Sequence, residues 1–237
     1  MKNTKELSVL YQDEHYVVIH KPANILMHRS PISRDRVFVL QTLRDQLGQR
    51  VYPVHRLDRA TSGVVAFGLN PEAARLLVQQ FEDKKIEKSY WALARGWTDD
   101  QGEIDHPVAD EDGNNIAQEA LTQYKTLAKV ELPFAVDRYP SSRYSLVAVT
   151  PVTGRRQQIR KHFKHISHHL IGDTTHGNGK HNRFFREQFN IHRLMLTSRQ
   201  LGFEHPYTNQ AHRFTANNED EWLRLFEAFA WDEIPGL

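Results

Sequence analysis

The strongest chemical feature of this chain is an aspartate set between cations and followed by turn-forming residues: His55-Arg56-Leu57-Asp58-Arg59-Ala60-Thr61-Ser62-Gly63. With Arg56–Asp58 extended, Arg56 and Asp58 project to one side and Leu57 to the other. Leu57 then anchors in the core while a cation and a carboxylate face one cleft. Thr61 and Ser62 can hydrogen-bond the backbone of the turn, and Gly63 can take a conformation that other residues avoid. A carboxylate held on a rigid loop is what a nucleophile or base requires. The same residues also fit a plain ion pair at a turn, and spacing alone favours that simpler reading.

Charge is the second feature. The net charge is only +2, yet residues 155–199 hold ten Lys and Arg against two acids, and residues 99–137 hold ten acids against two lysines. A basic segment folded onto one face attracts phosphates, although a solvated helix face accounts for it as well. Among fourteen histidines, His162, His165 and His169 have helical spacings that can serve zinc. That cluster lacks an HExxH carboxylate and sits beside cations that repel a metal ion, so no metal is expected. The absence of cysteine excludes disulfides, thiolate metal sites and cysteine nucleophiles, and fits a reducing cytoplasm.

The elements that must position these groups belong to an ordinary globular chain. Its 237 residues are 39% hydrophobic and 25% charged. No apolar run approaches the ~18–20 residues of a membrane helix, and MKNTKELSVL lacks the apolar stretch of a secretory signal. A hairpin is expected from Val9–Tyr11 and Tyr16–His20, stopped by Pro22. An irregular basic stretch follows from Ala23 to Arg36. Phe38–Leu47 reads as a helix closed by Gly48. Val64–Leu69 reads as a strand, and Asn70-Pro71 caps a helix whose buried face is Ala73, Leu76, Leu77 and Phe81. Strands are expected at Ser89–Leu93, Tyr124–Val130, Tyr144–Val149, Leu194–Thr197 and Gly202–Glu204. Gln157–His165 reads as a helix with cations on its polar side, and Glu219–Phe229 as a closing helix. Without regular strand–helix alternation, the fold class is α+β with a mixed, mostly antiparallel sheet and flanking helices.

Six ordered segments carry a resemblance. His55-Arg56-Leu57-Asp58 followed by Thr61-Ser62-Gly63 resembles the signature of the RluA-type family of pseudouridine synthases. Lys21-Pro22-Ala23-Asn24-Ile25-Leu26-Met27-His28 is similar to that family's N-terminal element, with Asn24 in place of its glycine. Lys88-Ser89-Tyr90-Trp91-Ala92 resembles its tyrosine motif, and Thr153–His162 its TGRxHQIRxH element. Leu170-Ile171-Gly172-Asp173 and Arg193-Leu194-Met195-Leu196 match two more. The likeness runs from about Leu7 to the C-terminus. Met27-His28-Arg29-Ser30, Arg138–Tyr144 and the lack of an added RNA-binding domain resemble the branch that acts on uridine 65 of tRNA. Gln157 stands where the family has His, and Thr197-Ser198 where it has His-Ala.

The resemblance implies a pseudouridine synthase fold with a central RNA-binding cleft, a single catalytic domain over 1–237, and no cofactor. It implies that Asp58 is the catalytic carboxylate, that Arg160 pairs with it and keeps it ionised, and that Tyr90 stacks on the uracil. Leu196 would floor the pocket, and Arg56 would fill the space left by the flipped base or hold a phosphate. Arg155 and Lys161 would contact RNA backbone, and His28 would touch RNA or brace the first loop. The implied partner is structured RNA, above all tRNA, handled by a cytoplasmic monomer. The alternatives are the same chemistry on ribosomal RNA and an RNA-binding module without catalysis.

Overall fold

The computed structural model describes residues 6–29, 35–109 and 116–231. In chain order the elements are β1 (Ser8–Gln12), β2 (Tyr16–Lys21), α1 (Val39–Leu47), β3 (Tyr52–Pro53), β4 (Ser62–Gly68) and α2 (Pro71–Glu82). There follow β5 (Glu87–Arg95), β6 (Gln101–Asp105), β7 (Val108–Ala109), β8 (Ala117–Gln118), β9 (Leu121–Leu132) and β10 (Ser142–Pro151). The chain closes with α3 (Gln158–His165), α4 (Gly179–Phe189), β11 (Leu196–Glu204), β12 (Ala211–Thr215) and α5 (Asp220–Phe229). No helix among the described residues is long and apolar enough to cross a membrane. The chain forms two compact units, one from Met1–Lys88 with Thr197–Asn217, the other from Ser89–Leu196 with Asn218–Leu237.

In the first unit β2 pairs antiparallel with β1 and with β4, and Lys21 lies opposite Gly63. β4 also takes β3 antiparallel, and runs parallel to β11 at Ser62 and Gly63. β12 returns antiparallel on β11. Every residue of β2 and β4 is buried, as expected of strands covered on both faces. Helix α2 starts where the Asn70 side chain accepts from the Ala73 N–H and Pro71 occupies its first turn. Its Ala73 and Leu77 pack with Tyr16, Val18, Val64, Leu201 and Phe203. Burying a leucine such as Leu77 contributes roughly 1.5–3 kcal/mol. Helix α1 ends at Gly48, whose φ of 66° is left-handed.

The second unit is built on β10, which pairs antiparallel with β5 and β9, and β6 extends β9. β7 and β8 form a separate two-stranded ribbon. Its core gathers Trp91, Leu93, Tyr144, Leu146, Phe185, Met195, Trp222 and Phe226. The strand pairs named for this unit are antiparallel, whereas β4 with β11 is parallel, so the mixed, mostly antiparallel sheet expected of the α+β class is present.

Three expectations need correction. Leu194–Thr197 and Gly202–Glu204 are not two strands; β11 runs unbroken through Arg199 and Gln200. Buried Arg199 breaks the apolar pattern, but its guanidinium donates to the Ala216 carbonyl. Gln157 lies outside α3 as a left-handed cap, φ 56°. Arg160 is not on the polar side of that helix but buried. Residues 30–34 of the irregular basic stretch, including Ser30 of the first motif, lie outside the described residues. Helix α4 and strands β3, β6, β7, β8 and β12 were not anticipated.

Candidate active site

Asp58 sits on the loop between β3 and β4 in the first unit and is half-buried. The expected alternation is present: Arg56 is exposed and Leu57 buried. The turn closes as the Thr61 N–H donates to the Asp58 carbonyl at 3.1 Å. Beneath it lies Lys21, fully buried at the end of β2. Its Nζ donates to the carbonyls of Pro22 at 2.9 Å, Arg59 at 3.2 Å and Thr61 at 2.7 Å. One ammonium thus ties the first motif to the Arg59 and Thr61 carbonyls of the Asp58 turn. Charge-assisted bonds of this kind are the stronger sort, and the buried charge is tolerated because acceptors surround it. Sequence reasoning gave Lys21 no role, although a lysine closing the apolar run Tyr16–Ile19 was a signal.

The flanks are set as firmly. The Ser62 and Thr197 hydroxyls lie 2.9 Å apart, so Thr197 at the unusual position bonds the strand that leaves the turn. Gly63 has φ 110°, and a Cβ there would stand 2.2 Å from the Ser198 carbonyl oxygen. Only glycine meets both conditions. Asn24 replaces a glycine in the first motif and has φ 65°, a conformation that asparagine tolerates. The Arg59 side chain donates to the Asn24 carbonyl and pairs with Asp35 at 3.1 Å. His55 accepts the Ala66 N–H on Nε2 at 3.1 Å and stacks on Phe81. Burial, with Lys88 adding to it, pushes its pKa down to about 3. It is a neutral structural ring with its proton on Nδ1. His28 and Arg29 are exposed.

In the second unit, Arg160 on α3 forms a two-pronged pair with Asp173, Nε to Oδ2 at 2.7 Å and Nη2 to Oδ1 at 2.8 Å. Their side chains are only 6% and 1% exposed. Asp173 Oδ1 also accepts the backbone N–H groups of Thr175 and His176, each at 2.9 Å. Burial alone pushes this carboxyl up, but the Arg160 bonds and charge and the two N–H donors outweigh it and hold it below the usual range. His176 Nε2 lies 2.7 Å from Gln157 Oε1, so the glutamine at the family's histidine position reaches the same cluster. Asn182 completes it, donating to the Asp173 carbonyl and accepting from the Gly172 N–H. The motif containing Asp173 was visible in the sequence; its role as a clamp on Arg160 was not.

The other expected residues are placed individually. Tyr90 is half-buried on β5 opposite Val149 of β10. Leu196 opens β11 and is buried. Arg155 is exposed, with Nε donating to the Glu119 carbonyl at 3.0 Å. Lys161 is half-buried, its Nζ on the Ala109 carbonyl. The zinc-spaced histidines are engaged separately. His162 Nε2 donates to the His106 carbonyl, the His165 ring stacks on His106, and His169 Nδ1 donates to the His176 carbonyl.

Comparison with known proteins matches residues 15–165 to the family model described as RNA pseudouridylate synthase. Relatives include the tRNA pseudouridine synthase C of Vibrio parahaemolyticus, 46% identical over 96% of this chain and 97% of that protein. That of Haemophilus ducreyi is likewise 46% identical, covering 95% of this chain and 97% of its own. Among solved structures, human RNA Pseudouridylate Synthase Domain Containing 4 is similar with a TM-score of 0.73 at 20% identity, covering 94% of this chain and 93% of that one. Human RNA Pseudouridylate Synthase Domain Containing 1 gives 0.69 at 20% identity, with 99% of both chains covered. At that identity the two structures speak for the fold.

Proposed function

The chain belongs to the RNA pseudouridylate synthase family, and on that premise we propose that it isomerises uridine 65 of tRNA, with Asp58 as its catalytic carboxylate. The observation that carries this reading is the braced turn, in which Lys21, Ser62 and Gly63 hold a half-buried carboxylate in place between two core strands. The tRNA substrate is supported by relatives about 45% identical over nearly the whole chain.

The reaction breaks the bond between uracil N1 and ribose C1′, turns the base, and joins C5 to C1′. The C5 proton leaves and N1 gains one, so atoms balance without redox change and no cofactor is called for. The target base must leave its stack, at a cost of a few kcal/mol. Arg56, exposed beside the turn, takes the vacated space or a phosphate. Asp58 captures or stabilises the ribose carbon as the glycosidic bond opens. Arg160 supplies the cation that offsets charge developing on the substrate. Asp173 fixes that guanidinium in advance, so no reorganisation is needed during reaction. Tyr90 stacks on the uracil and takes part in proton removal from C5, while Leu196 floors the pocket. His28, Arg155 and Lys161 belong to the RNA-contacting surface, and the enzyme acts as a cytoplasmic monomer.

Tritium release from a tRNA transcript labelled at uracil C5 tests the reading. The wild-type chain is expected to release tritium. Asp58→Asn is expected to release none, yet bind the transcript within about threefold of wild type, because affinity rests on cations. Turnover by Asp58→Asn would refute the assignment. Mapping the product at a site other than 65, or in ribosomal RNA, would refute the substrate.

A further inference from the structure

We propose that Gly154, Arg155 and Arg156, with the β7–β8 ribbon, form a seat for one backbone phosphate of the substrate RNA. The proposal deepens the RNA-acting reading above and rests on it.

A cavity of about 170 Å³ is lined by Val108, Ala109, Gln118, Gly154, Arg155 and Arg156. Every one of these residues belongs to the second unit. The volume is well below the ~300 Å³ at which pockets for drug-sized ligands begin, so it suits a phosphate group rather than a whole nucleotide. Two arginines contribute to its wall, and a guanidinium presents its donors in a fork that matches phosphate oxygens.

The seat is built before any ligand arrives. Arg155 is fixed by its edge and its backbone: Nε donates to the Glu119 carbonyl, and its N–H donates to Gln158 Oε1 at 2.9 Å. Its Nη groups have no acceptor among the described residues. The ribbon is tied down by the same basic segment. Lys161 Nζ holds the Ala109 carbonyl, His162 Nε2 holds the His106 carbonyl, and the His106 N–H donates to Ala120. These bonds tie the ribbon to α3, while Arg155 Nε ties the arginine loop to Glu119 just beyond β8, and together they preorganise the cavity.

Gly154 supplies an independent argument. Its φ is not left-handed, and a Cβ added there would meet nothing within 4 Å. Neither backbone conformation nor packing calls for glycine at this position. Glycine costs conformational entropy on folding, and alanine at a compatible site stabilises a protein. A bare backbone in the lining of a cationic cavity is what allows an oxyanion to approach closely.

Binding of an unmodified tRNA transcript, measured between 50 and 200 mM KCl, tests the seat. Each phosphate contact adds about 0.7–0.9 to the slope of log affinity against log salt. Over this fourfold salt range Arg156→Gln is therefore expected to lose roughly threefold less affinity than wild type, starting from weaker binding at 50 mM. Gly154→Ala is expected to weaken binding while its melting temperature stays equal or rises. An unchanged slope in Arg156→Gln, or unchanged affinity in Gly154→Ala, overturns the proposal. Tritium release by the wild-type chain on the same transcript is run alongside. Release with unchanged binding in the variants removes the seat alone; no release removes the isomerase reading and the seat that rests on it.

Discussion

Replacing Asp173 by alanine tests the account of how Arg160 is held. The substitution leaves a guanidinium that is 6% exposed without the carboxylate that takes both its Nε and Nη2, and leaves the Thr175 and His176 N–H groups without their acceptor. Removing one partner of a buried pair costs about 3–5 kcal/mol, mostly the penalty of the abandoned charge. The abandoned charge dominates, so that range is taken as the total. For a chain of this size a kcal/mol corresponds to roughly 2–4 °C, and the melting temperature is expected to fall by roughly 6–20 °C. Urea unfolding gives the free energy directly. Combining Asp173→Ala with Arg160→Met removes the buried guanidinium that has lost this carboxylate and is expected to recover part of the loss. A single variant melting within about 2 °C of wild type would refute the reasoning. So would a double variant no more stable than the single one. The pH dependence has a definite sign. Asp173 is held below its ordinary value of 3.8, so its contribution is full above that value and is lost as pH falls through the depressed one.

Other outcomes follow from the same geometry. Lys21→Met strips the ammonium from three carbonyls around the Asp58 turn and is expected to cost about 3 kcal/mol in urea unfolding. It should also lower tritium release at least tenfold at temperatures well below melting; full turnover would show that the brace is dispensable. Gly63→Ala pushes a Cβ to 2.2 Å from the Ser198 oxygen at φ 110°, and a loss of about 3 kcal/mol or more is expected. A neutral effect in urea would contradict the close approach of β4 and β11. His55, with its pKa pushed down to about 3, is expected to keep its Nδ1–H tautomer from pH 7.5 to 5 in nitrogen-15 spectra. Because the unfolded ring titrates near 6.5, its stabilising contribution is complete above that pH and falls as pH drops toward 3. A His55 titration near 6.5 would be inconsistent with its burial.

Much of this protein was legible in short stretches of its sequence. The cap at Asn70-Pro71, the stop at Gly48, the first hairpin and the closing helix all rest on interactions a few residues apart, and each lies where those residues put it. The Asp58 turn was legible for the same reason: alternation sends Leu57 inward, and Gly63 permits the bend. Helix α4 also carried a local signal, Asn178 as N-cap with Phe185 and Phe189 behind it, but its leading glycine and many polar residues obscured it. What the sequence left undecided is which charges are inside. Lys21 was given no role and Arg160 was expected to pair with Asp58, because the groups that accept their hydrogen bonds come from segments up to 40 and 13 residues away. Likewise the buried Arg199 within β11 is accommodated by a carbonyl 17 residues further on. Periodicity and capping are local properties of the chain, whereas the cost of burying a charge depends on acceptors that only folding brings beside it.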